Sequence, residues 1–213
     1  RKALATIVTN EHFAQAIQNW GARALVVRDI PTTFPEDGTY PLNGDFSVTV
    51  VNTFSSDEPL EQVLDAARDL DDVHFYITGR VNRGDPRLLE NAPRNVTFTD
   101  FLSTEQYYAL LRGGHAVMCL TTRDNTMQRG ACEALSLAKP IITSQWPLLK
   151  EYFHQGTVHV DNTSAGIRRG VREISSHYEE YLTGIRALQI RQRAEWKEKL
   201  EELIALVESG RGI

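Results

Sequence analysis

The residues best suited to chemistry lie between Ala116 and Thr143, AVMCLTTRDNTMQRGACEALSLAKPIIT. The stretch reads as a buried strand, a polar loop, a helix with one acidic residue, Glu133, and a second strand opened by Pro140. In a parallel sheet, a loop at the carboxyl end of a strand that feeds a helix is where ligands bind. The helix start offers unpaired amide N–H groups and a partial positive charge, which suit phosphate. Glu133 lies further along the same helix, where a carboxylate accepts hydrogen bonds from sugar hydroxyls. Flanked by Cys132, Ala134 and Leu135, it is costly to bury without partners, so a solvent-facing position is the plain alternative. The polar loop Thr121–Arg129 ahead of it favours a ligand role, and the segment points to a nucleotide-sugar site.

Other candidates are weighed in the same way. Gly79 and Arg80 follow the strand VHFYIT. Arg80 is either a surface arginine or a charge facing a diphosphate or base. The loop NTFSSD enters the same crevice, and its amides with Ser55 or Ser56 are placed to meet phosphate oxygens; helix capping explains the serines equally well. Neither G-x-G-x-x-G nor G-x-x-x-x-G-K-[ST] occurs. Asp69-Leu70-Asp71 looks like a metal-binding carboxylate pair, but it precedes a strand and so belongs to the amino edge, as a solvated turn. The six histidines show no metal-ligand spacing, with His154 and His159 in different elements. Gly113-Gly114 ends a helix. Cys119 and Cys132 read as reduced core thiols.

Strictly alternating strands and helices must position these groups, which implies right-handed βαβ units and an α/β, doubly wound, Rossmann-like parallel sheet. LATIVT, EHFAQAIQNWG (capped by Asn10, stopped by Gly21) and ALVVRDI form a first strand, helix and strand over 1–30. The aperiodic PTTFPEDGTYPLNGD at 31–45 is the linker. Regular alternation covers 46–176. There SSDEPLEQVLDAARDL is a helix capped by Ser56, and STEQYYALLRGG one opened by the capping box Ser103 to Gln106. The tail 177–213 is helical, and its apolar spacing slips between Leu188 and Leu200, which predicts a bend or two helices. The 213 residues carry a net charge of −5, and no Lys/Arg cluster stands out, which argues against a nucleic-acid partner. No apolar run approaches the ~20 residues that span a bilayer. Because the chain opens at Arg1 and at once reads as a strand, a piece of a longer protein is expected.

The order of elements, with VHFYITGR, NVTFTDFLSTEQYYALLRGGHAVMCLTT and GACEALSLAKPIITS, resembles the C-terminal, donor-binding domain of GT-B glycosyltransferases of the large retaining group called family 4. In that family the last phrase carries an acidic residue, seven residues, a glutamate, Ala, then small residues before Pro. The second glutamate matches Glu133; eight positions earlier stands Asn125. The family's basic pair in the loop after the first strand of this domain is replaced by NTFSSDEP, without Lys or Arg. The resemblance implies that 1–30 is a remnant of the N-terminal domain and that the tail returns toward it. It implies a UDP- or GDP-sugar donor, a glycan, lipid or small-molecule acceptor, retention, and no metal or cofactor. It also implies a cytoplasmic protein whose full-length form is open to peripheral membrane association. The donor-binding set it implies is Glu133, Asn125, Thr126, Met127, Gln128, Arg129, Arg80, Gly79, Ser55 and Phe101, with Arg123 as a further phosphate contact and no catalytic residue assigned. Glu133 would hold the ribose, and Asn125 would meet a donor sugar hydroxyl. Two rivals stand beside this reading: a degenerate, non-catalytic scaffold of the same fold, and a sugar-nucleotide epimerase of the same architecture. The fragment by itself is expected to fold but not to transfer sugar.

Overall fold

Period-two alternation builds the sheet, and the computed structural model describes residues 3–210 apart from Pro35 and Asp37. The ends of the two outer segments, 1–2 and 211–213, and two residues of the expected linker thus lie outside the described residues. The chain divides into two compact units, one of residues 1–32 with 189–213 and one of 33–188.

In the smaller unit β1 (Thr6–Val8) and β2 (Ala24–Val26) pair in parallel, Thr6 against Ala24, on either side of α1 (Glu11–Asn19). The Asn10 side chain caps α1 by accepting from the Phe13 amide at 3.0 Å. A two-stranded parallel sheet leaves apolar surface uncovered, and Leu4, Ile7, Phe13, Trp20 and Ile30 are exposed.

The larger unit is a six-stranded parallel sheet in the order β5-β4-β3-β6-β7-β8. Its strands are β3 (Phe46–Val50), β4 (Val73–Thr78), β5 (Val96–Asp100), β6 (Ala116–Cys119), β7 (Ile141–Ser144) and β8 (Thr157–Val160). Alternate residues face opposite layers. Val48, Val50, Phe75, Ile77, Met118 and Ile142 pack with α2 (Leu60–Ala67), α3 (Pro86–Glu90) and α7 (Ser164–Ser176). Val117, Cys119 and Ile141 pack with α4 (Thr104–Gly113), α5 (Arg129–Ser136), α6 (Pro147–Tyr152) and the start of α8 (Tyr178–Gly210). Helices on both faces make the sheet doubly wound, with the order reversing between β3 and β6.

Local signals explain most boundaries. The capping box is formed: the Ser103 hydroxyl accepts from the Gln106 amide and the Gln106 side chain accepts from the Ser103 amide. Ser56 is not a cap. α2 begins only after Pro59, because residues 53–58 close into a separate turn held by the Glu58 carboxylate. α8 is one helix of 33 residues rather than two. The segment QIRQRAEWKEK across the slipped spacing consists mostly of strong helix formers, so it stays helical without a continuous apolar stripe. The stretch 33–45 is largely packed on the larger unit: Phe34 stacks on Tyr108, and the Asn43 amide donates to the Tyr76 hydroxyl.

A single amide ties the exit of α2 to the entry of β4. Asn95 Nδ2 lies 3.0, 2.9 and 2.9 Å from the carbonyls of Ala67, Leu70 and Val73, which otherwise lack a side-chain donor. The Ala67 and Leu70 carbonyls also accept the Leu70 and Val73 amides, so Asn95→Ala is expected to lower stability by about 0.5–1.5 kcal/mol, the net worth of the lost side-chain hydrogen bonding. Urea unfolding checks this, and an unchanged midpoint would refute it.

Candidate functional site

The carboxyl ends of β3, β4 and β5 and the first turns of α4 and α5 enclose a cleft of about 470 Å³. It is lined by Val51, Asn52, Thr53, Thr78, Gly79, Arg80, Arg83, Asp100, Phe101, Leu102, Thr104, Tyr107, Tyr108, Arg129, Gly130 and Glu133. It opens beside the β3–β6 switch, where doubly wound sheets bind ligands.

Two glycines give the cleft its shape. Gly79 has φ +108°, a conformation L side chains rarely adopt, and a Cβ there would stand 2.4 Å from the Asn52 carbonyl. Gly130 is in the first turn of α5, and a Cβ on it would meet Val51 Cγ1 at 2.7 Å and Cys119 Sγ at 2.8 Å. The helix start can therefore settle directly on the ends of β3 and β6, bringing its free amides to the cleft wall.

Glu133 is on the lining, neither solvent-facing nor unpaired. Its side chain is 12% exposed. The Tyr107 hydroxyl donates to Oε2 at 2.7 Å, Arg129 Nε donates to Oε1 at 3.1 Å, and the Tyr108 hydroxyl approaches Oε1 at 3.5 Å. Burial, and then the Glu133 charge, push the Tyr107 phenol far above its ordinary value, so it stays protonated and donates. The same causes raise Tyr108, whose ring stacks on Phe34 with centroids 3.9 Å apart. Across the cleft, the Arg80 guanidinium lies 4.7 Å from the centroid of the exposed Phe101 ring.

Glu133, Arg129, Arg80, Gly79 and Phe101 thus come together on one lining. Ser55, Asn125, Thr126, Met127 and Gln128 do not, for local reasons. The Ser55 hydroxyl donates to Asp57 at 2.5 Å, and its amide to Glu58 at 2.9 Å. The Thr53 amide and hydroxyl also go to Glu58, and the Phe54 amide to the Asn52 side chain. The amides of Thr53, Phe54 and Ser55 and the hydroxyls of Thr53 and Ser55 are therefore taken by the loop's own acceptors. Asn125 is exposed with φ 55° and donates its amide to Asp124 at 2.6 Å. The Thr126 hydroxyl turns to the Asp124 carbonyl. Met127 packs on the core, and Gln128 is the α5 cap residue, its carbonyl accepting from the Ala131 and Cys132 amides. Arg123 pairs with Asp57 at 3.5 Å. The Ser55 hydroxyl above all holds the Asp57 carboxyl below the usual range; burial opposes it, and the Thr121 hydroxyl and the Arg123 charge add to the lowering.

Residues the sequence left unmarked are Asn52, Thr78, Arg83, Asp100, Tyr107 and Tyr108. Arg83 had one signal, its place three residues after Arg80 in the same turn. The tyrosines had none beyond a helical spacing that also fits core packing. Asp69 pairs with Arg168 and Asp72 with Arg172, away from the cleft. Among the described residues no group of three or more His, Cys, Asp or Glu side chains is placed to hold a metal ion, and no helix is long and apolar enough to cross a membrane.

The family model described as glycosyl transferase-like matches residues 57–205. No curated protein sequence matches the chain. Among solved structures, sucrose-phosphate synthase from Thermosynechococcus elongatus superposes with a TM-score of 0.74 at 15% identity, over 99% of this chain and 59% of that one. HepE from Anabaena, solved with UDP and glucose, gives 0.71 at 13% identity, over 95% and 63%. TarM gives 0.69 at 15% identity, over 95% and 43%. The chain thus spans less than two thirds of each of these proteins, and at such identities the likeness shows the fold, that of GT-B glycosyltransferases.

Two expectations follow from this geometry. The unfolded chain ionises Tyr107 near its ordinary value of 10.0, while the native phenol stays protonated. Its contribution to stability is complete below pH 10.0 and is lost as pH rises toward the higher native value. Tyr107→Phe should therefore flatten the fall of stability above that pH by up to about 1.4 kcal/mol per pH unit, one proton's worth, measured by urea unfolding across pH. Equal slopes would contradict it. Asn125→Glu should cost only about 1 kcal/mol, since the site is exposed and the penalty is that of placing a longer side chain at a left-handed φ. A loss of many degrees in Tm would show that Asn125 is instead a buried structural residue.

Proposed function

The chain belongs to the glycosyl transferase-like family, and from that premise we propose that it is the donor-binding part of an enzyme that transfers a sugar from a UDP- or GDP-activated donor to an acceptor hydroxyl, with retention and without a metal. The observation that carries the reading is the meeting of a partnered carboxylate, Glu133, and the α5 start in one cleft beside the sheet's switch point. Two structural neighbours, HepE and a pneumococcal O-GlcNAc transferase, were solved with UDP and a sugar.

The chemistry asks for a site that accepts a departing diphosphate. Amides at the α5 start and the guanidinium groups of Arg129, Arg80 and Arg83 supply positive potential around the cleft. Glu133 takes the ribose hydroxyls. Phe101 under Arg80 makes a flat, half-charged platform suited to a base. Asn125, off the lining, is given no part. The acceptor and any base come from beyond these residues, because catalysis needs donor and acceptor held together across a cleft between domains.

One observation favours a second reading, a non-catalytic scaffold. Where the resemblance calls for a basic pair, the loop after β3 carries Asp57 and Glu58, and its donors are already satisfied. Titration calorimetry with UDP and GDP separates the two. The donor-binding reading expects one of them to bind and Glu133→Ala to weaken it by about 1–3 kcal/mol, the loss of charged hydrogen bonds. No binding of either nucleotide would favour the scaffold; binding unchanged by Glu133→Ala would overturn the placement of the ribose.

A further inference from the structure

Glu133 is more narrowly committed than a free carboxylate. An ionised carboxylate offers about four acceptor positions over its two oxygens. Tyr107 takes one on Oε2 at 2.7 Å, and Arg129 takes one on Oε1 at 3.1 Å. Tyr108 sits at 3.5 Å from Oε1, the outer limit of a hydrogen bond. What remains is one clear position on Oε2 and one on Oε1 that Tyr108 contests weakly. Two adjacent positions on neighbouring oxygens fit two adjacent hydroxyl donors.

The partners differ in what holds them. Arg129 is 81% exposed, so its ion pair with Glu133 is screened by water and fixes the carboxylate poorly. Tyr107 is half-buried, its ring packed against the apolar side chains of the layer of α4, α5 and β6. Its position is set by the core, and its short bond transmits that position to Oε2. All four residues, Tyr107, Tyr108, Arg129 and Glu133, line the same cleft.

We propose that Tyr107 is a positioning residue that makes this cleft select a ribonucleotide: its hydroxyl fixes the Glu133 carboxylate so that the two remaining acceptor positions receive the ribose 2′- and 3′-hydroxyls. The inference rests on the donor-binding reading of the cleft. A tyrosine that merely satisfies its own buried hydroxyl would support folding without affecting which sugar the carboxylate prefers.

The test compares UDP with 2′-deoxy-UDP, or GDP with 2′-deoxy-GDP where guanine is the base that binds. Tyr107→Phe should weaken the ribonucleotide about fivefold to tenfold, the worth of one hydrogen bond's orientation, and the deoxynucleotide, which keeps only the 3′-hydroxyl on the carboxylate, by about half that factor or less, so that their ratio falls. Tyr108→Phe, which removes only the long contact, should change the ratio by less than about twofold. Equal weakening of both nucleotides by Tyr107→Phe, or of neither, overturns the proposal. A second measurement needs no nucleotide. Urea midpoints of Tyr107→Phe, Glu133→Gln and the double variant should be non-additive if the phenol holds the carboxylate. Additive midpoints overturn the proposal whatever binds. Non-additive midpoints in a chain that binds neither UDP nor GDP leave Tyr107 holding Glu133 but overturn the donor reading, and with it the ribose.

Discussion

The switch between β3 and β6 is the constraint on which the rest of the larger unit depends. Connections leave those two strands toward opposite faces, so their carboxyl ends carry no shared crossover to cover them. The edge is held instead by polar side chains. The Thr121 amide donates to Ser144 Oγ, and the Thr121 carbonyl accepts from Trp146 Nε1 and Asn162 Nδ2, each at 2.9 Å. The Ser144 hydroxyl donates to Asn162 at 2.7 Å, and the Thr121 hydroxyl to Asp57 at 2.9 Å. Loops from β3, β6, β7 and β8 thus share one hydrogen-bonded set. Thr121 and Ser144 are fully buried, where unmade hydrogen bonds are expensive. Gly130 then lets α5 descend onto this fixed edge.

The same network explains the charge pattern. Asp57 is held below the usual carboxylate range by Ser55, Thr121 and Arg123, so it stays ionised at neutral pH, beside the Glu58 that closes the turn. Anionic side chains therefore stand after β3, while the cleft's arginines come from the turn after β4 (Arg80, Arg83) and from α5 (Arg129). On the donor-binding reading a diphosphate would sit toward the latter side, since those three arginines line the cleft and Asp57 and Glu58 do not. The loss of the basic pair seen in the sequence is thus coupled to a structural substitution: the loop that would bind an anion binds its own carboxylate.

Much of this was legible in the chain. Alternating apolar strands and capped helices gave the doubly wound sheet, and the Asn10 cap and the Ser103–Gln106 box are formed as read. That Gly79, Arg80 and Glu133 would share one cleft could be read because position after a strand, or within the helix that follows one, is visible in a single sequence. Ser56 misled because a serine before a helix looks like a cap even where the Glu58 amide it would take goes to the Ser55 carbonyl and residue 59 is a proline. Of the stretch read as contiguous from Asn125 to Arg129, only Arg129 is on the cleft lining, since Asn125 is left-handed and exposed and Met127 packs on the core. Tyr107 was hidden because its partner lies 26 positions away; only tertiary packing reveals that an aromatic at core spacing ends in a hydroxyl aimed at a carboxylate.

That pairing bears on why a carboxylate is tolerated here at all. A side chain 12% exposed cannot rely on water for its solvation. An ion pair with a guanidinium that is itself 81% exposed returns little of the lost hydration, because the arginine keeps its own shell of water. The larger compensation must come from donors buried with the carboxylate, of which Tyr107 at 2.7 Å is the shortest. Its partial burial makes it more effective, since a hydrogen bond shielded from water is stronger than the same bond fully solvated. The compensation is still incomplete, because among the described residues only Tyr107, Tyr108 and Arg129 donate to Glu133, fewer than its acceptor positions. A carboxylate held on one side by half-buried donors and lining a cleft on the other keeps acceptor capacity that the core does not use, which is what the donor-binding reading asks of it.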